Sequence, residues 1–221
     1  MRKLSKYKSW QKWVLFILGT FLLALGCACM IQAELGVSTW DVLHTGLAAK
    51  FPISIGLGVI IIGMLLIGMK YQLDREWPQI GTFLNAILVG VFLNLILASG
   101  LLPDGGQLWL HILLLVVGIL LMGFGSGMYV GSGIGAGPRD GFTLALAARL
   151  NWSIRLTRTV IEATALGCGW LLGGGPVFVG TFLAVVLIGP LIQSSLFFWR
   201  AQVAKLDEKA TAAAAKTPMS S

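Results

Sequence analysis

Six apolar runs alternate with polar breaks along the chain, at 13–32, 53–71, 80–98, 108–130, 154–172 and 177–199. Crossing a bilayer as a helix takes about 20 mostly apolar residues, so each run predicts one span. Two stretches between them do not fit that pattern. Residues 34–52 and 131–150 mix glycine, proline and charge with short apolar pieces. In the second, Gly133-Ile134-Gly135-Ala136-Gly137-Pro138-Arg139-Asp140-Gly141 breaks the helix ladder and carries two charges that resist hydrocarbon. Pro138 suits the first turn of a new helix, with Gly137 as its cap. The spacing predicts irregular backbone opening a helix of about 13 residues, about 20 Å long, too short to span.

The chain aligns with itself at an offset of 99 residues. Gly36-Val37-Ser38-Thr39-Trp40-Asp41 falls on Gly135-Ala136-Gly137-Pro138-Arg139-Asp140. At the same offset Gly19 and Gly26 meet Gly118 and Gly125, and Gly81-Thr82-Phe83-Leu84 meets Gly180-Thr181-Phe182-Leu183. A register held without a gap indicates duplication. Repeat 1 covers about 13–98 and repeat 2 about 112–197 of a single membrane domain spanning 1–199.

Leu35-Gly36-Val37-Ser38-Thr39-Trp40-Asp41 paired with Gly135-Ala136-Gly137-Pro138-Arg139-Asp140-Gly141 resembles the YczE branch of the YczE/YitT-like bacterial integral membrane proteins. The resemblance runs from about Trp13 to Phe198. It implies a bacterial membrane protein, and it implies no activity and no site residue.

Basic residues orient the spans. Arg2, Lys3, Lys6, Lys8 and Lys12 precede the first run, and Lys70 and Arg75 flank the link at 72–79. The turns at Pro103-Asp104-Gly105-Gly106 and Gly173-Gly174-Gly175-Pro176 carry none. With six spans, both termini, Lys70, Arg75, Arg139, Arg149, Arg155 and Arg158 are cytoplasmic and the bare turns are outside, as the positive-inside bias requires. If the short segments also crossed, Lys70 and Arg75 would lie outside and the loop at Asp104 would be cytoplasmic without a Lys or Arg. Six spans make three per repeat. Three is odd, so the second repeat enters from the opposite side and the topology is inverted. The expected fold is an all-α membrane protein of six transmembrane helices in two inverted three-helix repeats. Each repeat includes a short re-entrant or half-membrane helix.

Composition agrees with this reading. The chain has 221 residues, 57% of them hydrophobic and 11% charged, where a soluble domain carries about 25% charged. The net charge of +7 arises from flanks of apolar runs, so it points to the lipid bilayer as partner and not to nucleic acid. Cys27, Cys29 and Cys168 lie inside apolar runs and read as small buried residues. The tail, 200–221, has little to bury and is expected to be disordered.

Polar residues inside such a chain are the candidates for function. Ser38 and Gly137 stand at matched cap positions. Asp41 and Asp140 stand three residues later, where an acid either caps the helix or faces a pathway. His44, one turn beyond Asp41, reads as a proton carrier or an interfacial histidine. Arg139 replaces Trp40 in register; it either favours an anion beside the helix N-terminus, pairs with Asp140 or Glu162, or sits at the rim. Glu162 lies mid-span with Arg158 four residues before it, a structural pair or a proton site. Asn85 and Asn94 share one face of their span, and Asn94 matches Gln193, a pattern for hydrogen bonds between helices. No metal-ligand cluster, nucleophile triad, phosphate loop or cofactor motif is present, so neither an enzyme nor a cofactor is expected. A transporter or permease for a small polar or ionic solute is the leading expectation; a non-transporting partner or regulator of another complex is the alternative.

Overall fold

A computed structural model gives the fold of residues 9–103 and 106–216, the side chains of Ser9 and 206–216 excepted. Arg2, Lys3, Lys6, Lys8, Asp104 and Gly105 lie outside the described residues. Among the described residues eight helices follow one another: α1 Ser9–Ala33, α2 Thr39–Lys50, α3 Ile55–Asp74, α4 Ile80–Ala98, α5 Leu108–Gly131, α6 Pro138–Leu150, α7 Ile154–Leu171 and α8 Val179–Lys216. No strand occurs among them. Five helices among the described residues are long and apolar enough to cross a membrane: α1 over Trp10–Ala33, α3, α4, α5 and the Val179–Lys205 part of α8. The run at 154–172 forms α7, which has 18 residues but carries Arg155, Arg158 and Glu162. The chain is a multi-pass membrane protein.

The two short helices form where the sequence stops a span. α2 begins after Ser38, whose hydroxyl accepts from the Asp41 amide, and ends at Phe51 in extended backbone just before Pro52. α6 begins at Pro138 behind a Gly137 N-cap, as the sequence predicts, and ends on Asn151 in the left-handed region, φ 54°.

Glycine sets how closely the helices approach. α1 and α5 cross in opposite chain directions. A Cβ on Gly19 would lie 2.8 Å from the Gly125 carbonyl oxygen, and one on Gly26 would lie 2.7 Å from that of Gly118. Small residues at such crossings replace the hydrophobic drive that lipid cannot supply. Ala24, Cys27, Ala28 and Met30 then bury against Leu114, Leu115, Ile119 and Met122. On the far side of α5, Leu113, Val116, Leu120 and Phe124 are exposed at helical spacing, a lipid-facing stripe.

Each short helix leans on a long helix of the other half: α2 packs against α7, and α6 against α3. The loops before them are held the same way. A Cβ on Gly36 would come within 2.6 Å of the Thr181 amide, and one on Gly135 within 2.7 Å of the Thr82 amide. Gly36 adopts φ +126°, which side-chain-bearing residues rarely take. α3 lies along α4, locked by Asn94: its Nδ2 donates to Ser54 Oγ at 2.8 Å and its Oδ1 accepts from the Gly56 amide at 2.9 Å. This is the interhelical bonding expected of Asn94.

Three expectations need correction. The stretch after Trp199 is helical as far as Lys216. Alanine has the highest helix propensity, which favours helix in this Ala-rich sequence; residues 217–221 lie outside the described residues. Cys168 is exposed on α7, although Cys27 and Cys29 are buried. It lies near exposed Trp170 and Leu171 at the end of α7, where Gly169 packs on α2. His44 is no interfacial residue: it is 1% exposed, because α2 packs under α3 and α7.

Candidate functional site

The N-terminal ends of α2 and α6 converge. Trp40 and Arg139, matched by the 99-residue register, touch: the guanidinium carbon lies 4.7 Å from the Trp40 ring centroid. This cation–π contact is the placement taken by Arg139, which pairs with neither Asp140 nor Glu162. Beside it opens a cavity of about 200 Å³. Seven of the eight residues singled out in the sequence line it: Ser38, His44, Gly137, Arg139, Asp140, Arg158 and Glu162. Asp41 stands behind that wall, 1% exposed.

At the α2 end the cap is satisfied, while the buried Nδ1 of His44 has no hydrogen-bond partner among the described residues. Ser38 Oγ donates to Asp41 Oδ2 at 2.6 Å and accepts from the Asp41 amide at 3.3 Å. Asp41 Oδ1 lies 3.5 Å from His44 Nδ1. Ser38 therefore caps α2, and the Asp41 carboxylate holds the capping hydroxyl and faces a buried imidazole.

The α6 end differs. Gly137 supplies no side-chain cap, and Pro138 follows it. A Cβ at Gly137 would meet the Tyr129 hydroxyl at 2.6 Å, so glycine here makes room for the tyrosine. Asp140, at the position equivalent to Asp41, has no serine partner and faces the cavity. Arg158 Nε donates to Glu162 Oε1 at 3.0 Å; the side chains are 51% and 27% exposed. Arg155, one turn earlier on α7, takes no part in that pair.

Asn85 completes the site. It is 4% exposed, lines the cavity, and its Nδ2 has no hydrogen-bond partner among the described residues. A buried amide without a partner costs free energy, and a ligand in the cavity would satisfy it. The sequence marks Asn85 as polar within an apolar span but gives no sign that it faces a cavity while Asn94 bridges helices. Tyr129 and Ser126, also in the lining, are invisible to sequence reasoning because they end an otherwise uniform apolar helix. No group of three metal-ligating side chains occurs among the described residues.

The lining thus combines two guanidinium groups, two carboxylates, a helix end without a side-chain cap and a free amide with the apolar side chains of Val59, Val89, Met122 and Ile188. Such a site holds a dipolar or hydrogen-bonding group and keeps hydrocarbon beside it.

Residues 10–196 match a family of unknown function, DUF6198. The chain belongs to that family. An uncharacterized membrane protein of Bacillus subtilis (strain 168), YczE, is 35% identical over 186 residues, covering 84% of this chain and 85% of the relative. An uncharacterized Haemophilus influenzae protein is 32% identical over 172 residues, 78% of this chain and 77% of its own length. YyaS of B. subtilis, also uncharacterized, is 27% identical over 188 residues, 83% and 91% of the two chains. No solved structure matches the chain. The resemblance to YczE read from the two glycine-rich motifs is thereby established for most of the chain.

Proposed function

We propose that this DUF6198 protein is a permease for a small polar or ionic solute. It would sit in the bacterial inner membrane with both termini cytoplasmic, six spans and two inverted repeats, α7 serving as the sixth span. One observation carries the proposal: the matched short helices bring their N-terminal residues to one cavity whose wall holds buried polar groups without partners. Irregular backbone at membrane depth is tolerated only where it lines a cavity or is buried in protein, and paired discontinuous helices at a repeat interface are how transporters build a midplane site.

The reciprocal contacts support the inverted arrangement. Gly19 meets Gly125 as Gly118 meets Gly26, and Gly36 meets Gly180 as Gly135 meets Gly81. Under the 99-residue offset the Gly19–Gly125 contact maps onto Gly118–Gly26 and the Gly36–Gly180 contact onto Gly135–Gly81, which is the signature of a two-fold axis between the halves. Arg155, Arg158 and Glu162 account for the lower hydropathy of α7, because a span lining a polar cavity tolerates charge that a lipid-facing span does not.

The competing reading is a non-transporting partner of another complex. It draws on α8, whose most apolar window is 17% buried and which offers a broad helix face. Accessibility separates the two. Asp140→Cys, in a chain lacking Cys27, Cys29 and Cys168, is reacted in sealed vesicles with a charged methanethiosulfonate added to one side at a time. A pathway gives reaction from at least one side; a sealed scaffold gives none from either. Solutes that raise the apparent melting temperature of the purified protein then identify the class carried.

A further inference from the structure

The two halves differ at one seam. In the first half α3 and α4 lie in contact, and Cβ atoms on Gly56 or Gly90 would collide with the facing helix. In the second half the corresponding helices, α7 and α8, do not form a packed pair. The register explains the difference. Gly56 maps onto Arg155, a long side chain where close approach needs none, and Gly90 maps onto Gly189, where an added Cβ would have no atom within 4 Å. The bonds that lock the first seam have no equivalent either. Ser153, the counterpart of Ser54, caps its own helix as Ser54 does, but makes no hydrogen bond to α8 among the described residues. Gln193, the counterpart of Asn94, makes no hydrogen bond across the seam among the described residues.

This gap leads into the cavity. Ile161 and Glu162 of α7 and Val185, Ile188 and Gly189 of α8 all line it. Val185 is also 53% exposed, within the apolar part of α8. Ile161, Val185 and Ile188 give the passage an apolar side that acyl chains can meet, beside the Arg158–Glu162 pair. The same cavity is lined by the unpartnered Asn85 amide and the start of α6, which has no side-chain cap.

We infer that the α7/α8 seam is a lateral entrance from the bilayer, and that the cavity's ligand is an amphiphile with an apolar body and a hydrogen-bonding head. The inference rests on the permease reading for the purpose of the cavity and narrows its solute class. The body lies along the seam against Val185 and Ile188, and the head reaches Asn85. A wholly polar solute gains nothing from this route, because leaving water for hydrocarbon costs it several kcal/mol. An amphiphile already resides in the bilayer and need only turn its head inward.

The test uses the full chain in phosphatidylcholine vesicles, with Cys27, Cys29 and Cys168 replaced by alanine and Ser126→Cys placed in the cavity wall. The probe is a phosphatidylcholine carrying a maleimide at the end of one acyl chain, which cannot leave the bilayer. It labels Ser126→Cys, and filling the seam with Gly189→Trp slows labelling about tenfold, or about 1.4 kcal/mol in barrier. Gly189→Ala leaves the rate unchanged. Leu113→Cys on the lipid-facing stripe reports folding: its labelling is the same with and without Gly189→Trp. If the tryptophan disturbs that control, Val185→Trp replaces it. Labelling of Leu113→Cys without labelling of Ser126→Cys overturns the entrance, and so does a Ser126→Cys rate indifferent to the seam-filling variants. For the head group, 1-octanol slows Ser126→Cys labelling more than n-octane does, and Asn85→Leu removes the difference; equal effects of the two in the unaltered site overturn the ligand class. Labelling needs no turnover, so these results stand or fall separately from transport.

Discussion

At the scale of single residues, matched positions perform unlike tasks. Ser38 caps α2 and holds Asp41 through a 2.6 Å hydrogen bond; its counterpart Gly137 makes way for Tyr129. Ser38→Ala should therefore cost about 1 kcal/mol, the usual loss for an N-cap, read as a lower melting midpoint in detergent. Gly137→Ser should fail to install the missing cap. Its Cβ meets the Tyr129 hydroxyl, and overpacking of this kind costs about 1–3 kcal/mol. Tyr129→Phe in the same chain removes the obstructing oxygen and should restore most of the loss. Equal stability of Gly137→Ser and the unaltered chain would contradict this account of the glycine. The Arg158–Glu162 pair, half open to the cavity, calls for a smaller figure. A double-mutant cycle with Arg158→Gln and Glu162→Gln should give a coupling of about 1 kcal/mol or less, and a clearly larger value would mean the pair is sealed from water.

At the scale of elements, glycines decide which helices touch. Gly90→Ala should destabilise the protein by about 1–3 kcal/mol by driving α4 off α3, whereas Gly189→Ala, facing open space, should fall within about 0.5 kcal/mol of the parent. Thermal melts of the two variants side by side check the contrast. Much at this scale is legible in the sequence. Pro138 behind Gly137 locates the start of α6 because proline is tolerated only in a first turn, and Asn94 announces a bridge between helices because a lone amide in an apolar span needs a partner. Other features are not legible. The helix running on to Lys216 escapes a reading that weighs lack of a core above alanine's propensity. The burial of His44 is hidden because sequence alone does not reveal that α3 and α7 cover it. The Trp40–Arg139 contact requires knowing that matched positions meet, which follows from symmetry in space and not from spacing along the chain.

At the scale of the whole molecule, the offset of 99 residues carries the account. Applied to the contacts between α1 and α5 it exchanges Gly19–Gly125 with Gly118–Gly26, as expected if the halves face opposite sides of the membrane. Reporter fusions check the topology: those in the loops at 99–107 and 173–176 should report the exterior, and those at Arg75 and Arg149 the cytoplasm. An exterior signal at Arg75 would remove the six-span arrangement. The central claim is that α2 and α6 meet by their N-terminal ends at one cavity. Its most direct measurement is a crosslink between Trp40→Cys and Arg139→Cys in a chain lacking Cys27, Cys29 and Cys168 and carrying a protease site in the loop at 99–107. A short bifunctional thiol reagent should join the two halves, so that protease leaves a single band until the link is reduced. Two separate fragments, with each cysteine reacting freely with impermeant reagents from opposite surfaces, would contradict it.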